Sequence, residues 1–432
     1  MDMSDNYFFE NDLLRYEAYL KGFNSSIFKE FNSKFEELNV NSKIEDLFAG
    51  KNVNYTEGQA AWHPKYRANI PNWPSSDLSD CLNKGLLDGV VNIVVLGIGG
   101  SFEGPKLLVE SLIGSNTDLN HIFITGSDPN EFREKTSNLK KTESLFIVSS
   151  KSFTTHETLE TLNDAINWSG DMNKFIAITA NESEASKYNF KHIIKFDKEI
   201  GGRYSIWSDI AVPAFLDATF ERDNFLSGGN QADFDLQNNK KYSEFIKVLS
   251  YSDIWLNNSK NKTSRAVLSY SWKLRSFPYY VQQLEMESLG KQPNKDSAFQ
   301  RTGQIIFGGY GPTAQHSYFQ LLHQGTQDIC ADIIACKEIS KSLAYAQAVT
   351  QAKILSDGVD NLLKNKDRIN GNIPLNLFLL NKVDAFTLGY LIATWEHRTY
   401  ITAAMLQINP FDQYGVNIGK AYTKKYYQDN GA

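Results

Sequence analysis

The sequence predicts an α/β protein whose sheets are mainly parallel and covered by helices on both faces. Short apolar runs recur at Val90–Leu96, His121–Thr125, Leu145–Val148, Phe175–Thr179 and His192–Phe196, with amphipathic stretches between them. Near-continuous apolar runs are what strands buried on both faces need, and the intervening helices supply the crossovers. A second alternating region follows residue 262, with strands expected at Ala266–Tyr270, Gln304–Phe307 and Gln327–Cys336. At 432 residues the chain has room for two or three domains. Hydrophobic residues make up 41% of it, enough for sizeable cores without staples.

A net charge of -6 provides no general basic footprint, so nucleic acid is not an expected partner. The three cysteines, Cys81, Cys330 and Cys336, have no metal-ligand spacing and cannot all pair internally, which points to a reducing compartment. No window approaches the roughly 18 uninterrupted apolar residues of a membrane span. The acidic N-terminus, MDMSDNYFFENDLLRYEAYL, lacks the apolar region of a secretory signal. A soluble, cytoplasmic protein is the expectation.

In chain order, residues 7 to about 50 are expected to be helical. Leu14 and Ala18 are four apart, and Phe28, Phe31, Phe35 and Leu38 follow at spacings of 3 and 4. Asn54–Arg67 then reads as a loop or short helix packed by Trp62. Pro71 and Pro74 punctuate a boundary before the first sheet.

Two turns follow strands of that sheet, where open α/β sheets bind ligands. Gly97-Ile98-Gly99-Gly100-Ser101 supplies glycines that admit an anion and a serine that donates to it; a purely structural tight turn fits as well. It continues neither as a Walker loop nor as G-x-G-x-x-G, which disfavours a dinucleotide. The second turn, Ser149–Thr158, opens a helix whose buried face is Leu159, Leu162 and Ile166. Thr154 and Glu157 have capping-box spacing. Lys151 among Ser149, Ser150, Ser152, Thr154 and Thr155 favours a phosphate monoester over a merely capped helix.

Arg203 lies in the glycine-flanked GGRYSIWS. It could stabilise an oxyanion, cap a helix or pair with Asp209. Residues 221–262, polar and rich in asparagine, are expected to connect the lobes. In QLEMESLGK, Gln283 and Glu287 are four apart and share a helix face, whereas Glu285 points elsewhere. One aimed carboxylate beside an amide suits proton abstraction; a solvated helix end stopped by Gly290 is the plainer reading. His316 and His323 are seven apart, so one helix face could carry both before Gly325 ends it. That spacing is not a metal signature, and packed histidines are the simpler account. Residues 341–405 are expected to be mostly helical. Lys420, after NPFDQYGVNIG, could reach a phosphate or sit in solvent.

GIGGS, SSKSFTTHET, GGRYSIWS, QLEMESLGK, QHSYFQLLHQGT and NPFDQYGVNIGK, in that order, resemble the phosphoglucose isomerase family in its compact bacterial form. Asn54–Arg67 resembles that family's NxTE…H…R segment. The resemblance implies two SIS domains, each a flavodoxin-like three-layer sandwich, with helical N- and C-terminal segments. The implied divisions are a helical segment at 1–75 packing on the larger domain, a first SIS domain at 76–235 and a second at 236–432. It implies interconversion of glucose 6-phosphate and fructose 6-phosphate without metal or other cofactor, by ring opening and proton transfer through a cis-enediolate. Gly100, Ser101, Ser150, Lys151, Ser152 and Thr155 would cradle the phosphate. Glu287 would move the proton between C2 and C1, and His316, oriented by Glu157, would open the ring. Arg203 would stabilise the enediolate, with Gln283, Gln413 and Lys420 against the substrate. A homodimer is implied, with His316 contributed across its interface; membrane and nucleic acid are not implied.

Leu289, Ser152, His156, Tyr414, Gln59 and Pro312–Ala314 depart from the family pattern. A non-catalytic phosphosugar-binding module, or an isomerase that also takes mannose 6-phosphate, are the alternative readings.

Overall fold

The computed structural model describes residues 7–68, 76–83, 85–113, 117–217, 220–360 and 364–430. Pro71 and Pro74 lie outside them. The described chain opens in an antiparallel hairpin, β1 (Phe8–Glu10) and β2 (Leu14–Tyr19), so the helix expected from residue 7 is not formed there. Leu14, Tyr16 and Ala18 are buried while Arg15, Glu17 and Tyr19 are half-buried, a period of two. The four-residue step from Leu14 to Ala18 fits both periods, and tertiary pairing decides between them. Helices follow at Ser25–Glu37 and Val40–Phe48, burying Phe31 and Phe35.

The first large sheet contains β3 (Asn92–Leu96), β4 (Asn120–Ile124), β5 (Ser144–Ser149), β6 (Phe175–Thr179) and β7 (His192–Lys195). All are parallel, in the order β4-β3-β5-β6-β7. The central strands are buried along their whole length, as their apolar runs require. Their side chains alternate between two cores. Ile93, Val95, Ile147 and Ile176 enter one; Val94, Leu96, Phe146 and Val148 enter the other. The strand order reverses at β3, so the turns after β3 and β5 meet at a switch-point crevice.

The second sheet contains β8 (Ser264–Ser269), β9 (Ile305–Tyr310), β10 (Ile329–Cys336) and β11 (Leu375–Leu380), in the order β1-β2-β11-β10-β8-β9. The hairpin completes it, β2 running antiparallel to β11. Residues 341–405 are mostly helical as expected, but β11 interrupts them: its leucines favour helix intrinsically, yet Leu375–Leu380 is wholly buried and pairs with β10. Helices Leu343–Asp357 and Ala385–Leu406 flank it.

Residues 221–262, expected as a polar connection between the lobes, are helical. They form the helices Arg222–Asn238 and Lys240–Ser259, the second burying Phe245, Leu249 and Ile254. The expected domain division at 235/236 therefore falls inside a helix. That helix packs closely on Ala385–Leu406: a Cβ at Gly228 would sit 1.9 Å from Phe386 O.

Charge is buried beside the second sheet in matched sets. Arg265 pairs with Asp253 and Glu285, and Arg398 with Asp253 and Asp332. Burial would raise the Asp253 carboxyl, but Arg265 and Arg398 outweigh it and hold the group below its usual range. Such ions cost several kcal/mol each unless partnered, so their pairing is a condition of the fold. Among the described residues no helix is long and apolar enough to cross a membrane.

Candidate active site

The helix Phe277–Leu289 carries Pro278 in its first turn, where a missing N–H costs nothing. Its geometry gives its two inward-facing glutamates different surroundings. Glu285 is buried, ion-paired to Arg265, and accepts from Trp395 Nε1 at 3.0 Å. Glu287 faces a cleft with its side chain 24% exposed and accepts from Gln283 Nε2 at 3.2 Å. Gln283 and Glu287 thus share a face, as their spacing predicts.

Arg203 sits in a 3-10 turn, Gly202–Trp207, and its side chain is buried. Its Nη1 lies 3.2 Å from Glu287 Oε2 and donates to Gln413 Oε1 at 3.1 Å. Nη2 donates to the carbonyls of Pro410 at 2.6 Å and Asp412 at 2.9 Å, while Nε reaches Ser288 Oγ at 2.9 Å. Of the three roles open in the sequence, no ion pair with Asp209 and no helix cap is found for Arg203 among the described residues; Asp209 acts electrostatically on Arg222.

Two backbone turns close on this group. Gly99 has φ +59°, and a Cβ there would sit 3.0 Å from Gln283 Nε2. Gly100 opens the helix Gly100–Leu108, and a Cβ there would meet Gly202 O at 1.9 Å. Glycine is needed because the Gly97–Ser101 turn and the Arg203 turn touch backbone to backbone.

At the end of β5, Ser150 Oγ accepts from Phe153 N at 3.1 Å and shares a 3.3 Å hydrogen bond with Thr155 Oγ1. Thr155, not Thr154, is the N-cap of the helix His156–Ser169, so the expected capping box does not form. Thr154 instead donates to Ser152 Oγ at 2.8 Å. Burial above all holds the Lys151 ammonium below its usual range, against the pull of Glu57 and Asp197 and with a smaller push from the Arg203 charge. The Lys151 turn and the Arg203 turn therefore lie within electrostatic reach of each other.

A cleft of about 640 Å³ opens beside Glu287, walled by Tyr55, Lys291, Asp412, Gln413 and Tyr414. The Ser150–Thr155 turn is not part of that wall. The Asn54–Arg67 segment reaches both the cleft and the core below it. Thr56 Oγ1 donates to Asp412 Oδ2 at 2.8 Å, and His63 stacks on Tyr204 with centroids 4.6 Å apart. Beneath them, Arg67 pairs with Asp233 and Glu396. Burial above all pushes the Glu396 carboxyl up to about 7 despite Arg67, with Asp233 adding to the rise.

Among the described residues, three expected participants make no hydrogen bond or ion pair with Glu287. His316 is exposed in the turn between the helices Gly311–Ala314 and Phe319–Gln324, so it does not share a helix with His323, whose Nε2 lies 2.9 Å from Gln351 Oε1. Among the described residues no hydrogen bond or ion pair joins His316 to Glu157 or Glu287. Glu157 is half-buried at the start of its helix. Lys420 is exposed on the helix Tyr414–Asp429, which buries no residue. Leu289 is 5% exposed and belongs to the core rather than the cleft wall. Sequence reasoning gave no role to Ser288, Lys291 or Asp412. Lys291 was signalled only by standing at the end of QLEMESLGK.

A single carboxylate poised between an amide and a buried guanidinium, at the edge of an α/β fold, is an arrangement that acid–base chemistry can use. The comparison with known families narrows the class. The chain belongs to the phosphoglucose isomerase family, whose model matches residues 75–430. It is 34% identical to the glucose-6-phosphate isomerase of Shewanella pealeana, over 88% of this chain and 81% of the relative, and 33% identical to that of Shewanella sediminis, over 89% and 82%. Among solved structures, a glucose-6-phosphate isomerase from Chlamydia trachomatis superimposes with a TM-score of 0.87 at 25% identity, covering 98% of this chain and 89% of that one. A hypothetical protein from Thermus thermophilus shares the fold, with a TM-score of 0.75 at 20% identity over 93% and 97% of the two chains.

Proposed function

We infer that the protein catalyses the reversible isomerisation of glucose 6-phosphate to fructose 6-phosphate. The observation that carries the reading is Glu287 Oε2, held 3.2 Å from both Gln283 Nε2 and Arg203 Nη1 at the edge of an open cleft. The carboxylate removes the proton from C2 of the open-chain aldose and returns it to C1, while a proton passes between O1 and O2. Arg203, fixed by backbone carbonyls, offers positive charge to the enediolate without reorganising. Gly100, Ser101, Ser150, Lys151, Ser152 and Thr155 receive the phosphate, and binding there orients the sugar for both steps.

Ring opening falls to His316, whose imidazole can both accept and donate a proton. Because His316 and Glu287 are not in contact within one chain, the reading includes a homodimer in which a second copy supplies His316, oriented by Glu157 of the receiving site. Gln283, Gln413 and Lys420 complete the substrate contacts, and the location is cytoplasmic. The chain divides into a first SIS unit that begins near residue 76 and a second that holds β8–β11.

The test is a coupled isomerase assay with Glu287→Gln. Removing a general base costs about 10²–10⁴ in rate. The variant should lose turnover by that factor and lose exchange of the C2 proton with solvent deuterium, yet still bind the sugar phosphate. Full residual turnover would sink the assignment.

A further inference from the structure

The segment Asn409–Gln413 has no regular secondary structure, yet Asn409, Pro410, Phe411 and Asp412 are buried. A buried irregular segment must find partners for its polar groups outside itself. It finds them on three sides. Arg203 takes the carbonyls of Pro410 and Asp412. Asn409 Nδ2 donates to Asn54 Oδ1 at 2.8 Å, and Thr56 Oγ1 reaches Asp412 Oδ2 at 2.8 Å. On the third side, Lys291 Nζ lies 3.0 Å from Asp412 Oδ1 and also donates to Asp412 O.

That last pair joins two parts that have to stay in register. Lys291 stands just past Gly290, the C-cap of the helix that carries Gln283 and Glu287. Asp412 directly precedes Gln413, whose Oε1 faces Arg203, and the helix that bears Lys420. Both members are well covered, with side chains 15% and 10% exposed. Burial first, and then the Arg203 charge, works against the Lys291 ammonium, so Asp412 is what makes a second cation tolerable there.

We propose that Lys291 and Asp412 form a positioning clamp that locks the 409–413 segment to the end of the Glu287 helix and so sets how Arg203 and Gln413 face the base. The clamp acts through Arg203 and Gln413 and does not touch the reacting carbons. It rests on the isomerase reading.

The full-length protein is compared with Lys291→Met, Lys291→Arg, Asp412→Asn and the Lys291→Met/Asp412→Asn double variant. Each loss of the pair should lower kcat by about 10–100-fold, the cost of a small misplacement, and move KM by less than about threefold. The double variant should be no worse than either single one, because both remove the same interaction. Lys291→Arg should recover most of kcat. Amide hydrogen exchange should rise across 409–416 in the impaired variants and stay unchanged in β3 and β5. Effects that multiply in the double variant, a rise in KM at unchanged kcat, a fall in melting temperature at unchanged kcat, or an Arg variant as poor as the Met variant would each overturn the clamp. If the wild-type protein interconverts no sugar phosphate, the isomerase reading fails instead, and hydrogen exchange alone decides whether the clamp exists.

Discussion

Substituting Gly100 by alanine should nearly abolish turnover although the residue contributes no side-chain chemistry. A Cβ at this position would lie 1.9 Å from Gly202 O, 2.3 Å from Gly202 C and 3.0 Å from Arg203 N. All three are backbone atoms, so no rotamer change relieves them. Carbon and oxygen approach to about 3.3 Å at closest comfortable contact, so the Arg203 turn must retreat by roughly 1.4 Å. Moved rigidly, Arg203 Nη1 would leave Glu287 Oε2 for a separation of about 4.6 Å, starting from 3.2 Å. At an effective dielectric of about 20, that weakens the pair by roughly 1.6 kcal/mol, a factor of about ten or more. Misalignment of the cation with the enediolate adds to this, since about 1 Å of misplacement costs about 10²-fold. The expected outcome is a fall in kcat/KM of about 10²–10³-fold in the coupled assay. Overpacking should also cost about 1–3 kcal/mol of stability, seen as a lower denaturation midpoint. Wild-type kcat/KM in a folded Gly100→Ala protein would refute the claim that the two turns meet backbone to backbone.

Two further outcomes follow from other parts of the structure. Mixing Glu287→Gln protein with His316→Ala protein, under conditions that exchange subunits, should restore turnover that neither variant has alone, because a hybrid holds one intact Glu287 facing one intact His316; no recovery would mean that both groups act within one chain. Glu396, raised to about 7 in the folded state, binds a proton that the unfolded chain releases near 4.3, so its stabilising contribution is present below about pH 4.3 and is lost as the pH climbs to about 7. Glu396→Gln should therefore flatten the fall of melting temperature across that window, and an unchanged slope would refute the assignment.

The three central strands of the first sheet were legible because burial on both faces leaves almost no polar residue inside β3, β5 and β6. The same reasoning failed where local preference and tertiary pairing disagreed. Leu14 and Ala18 satisfy helix and strand spacing alike, and the leucines of β11 favour helix until β2 and β10 close on either side. The helices at 222–259 were hidden because Asp233 and Asp253 look like surface residues, whereas in the fold each meets an arginine far away in sequence. At the site, the shared face of Gln283 and Glu287 follows from helical spacing alone. The partners of Arg203 do not, since two are carbonyls more than 200 residues further on, and a carbonyl has no signature in sequence. His316 lies exposed in a turn, where nothing in its own segment distinguishes it from any surface histidine.

The hairpin β1–β2 imposes an order on how this protein is made. Tyr16 OH donates to Asn376 Oδ1, a partner 360 residues away, and β2 pairs with β1 on one side and β11 on the other. At a synthesis rate of about 5–20 residues per second, roughly 20–70 s separate the two strands' emergence from the ribosome. A lone two-stranded hairpin is marginal in water, so for that interval residues 8–19 are effectively unfolded chain. The first sheet, closed by β7 at Lys195, meanwhile has all of its strands in hand. β2 thus waits for a partner made long after the whole first sheet is in hand.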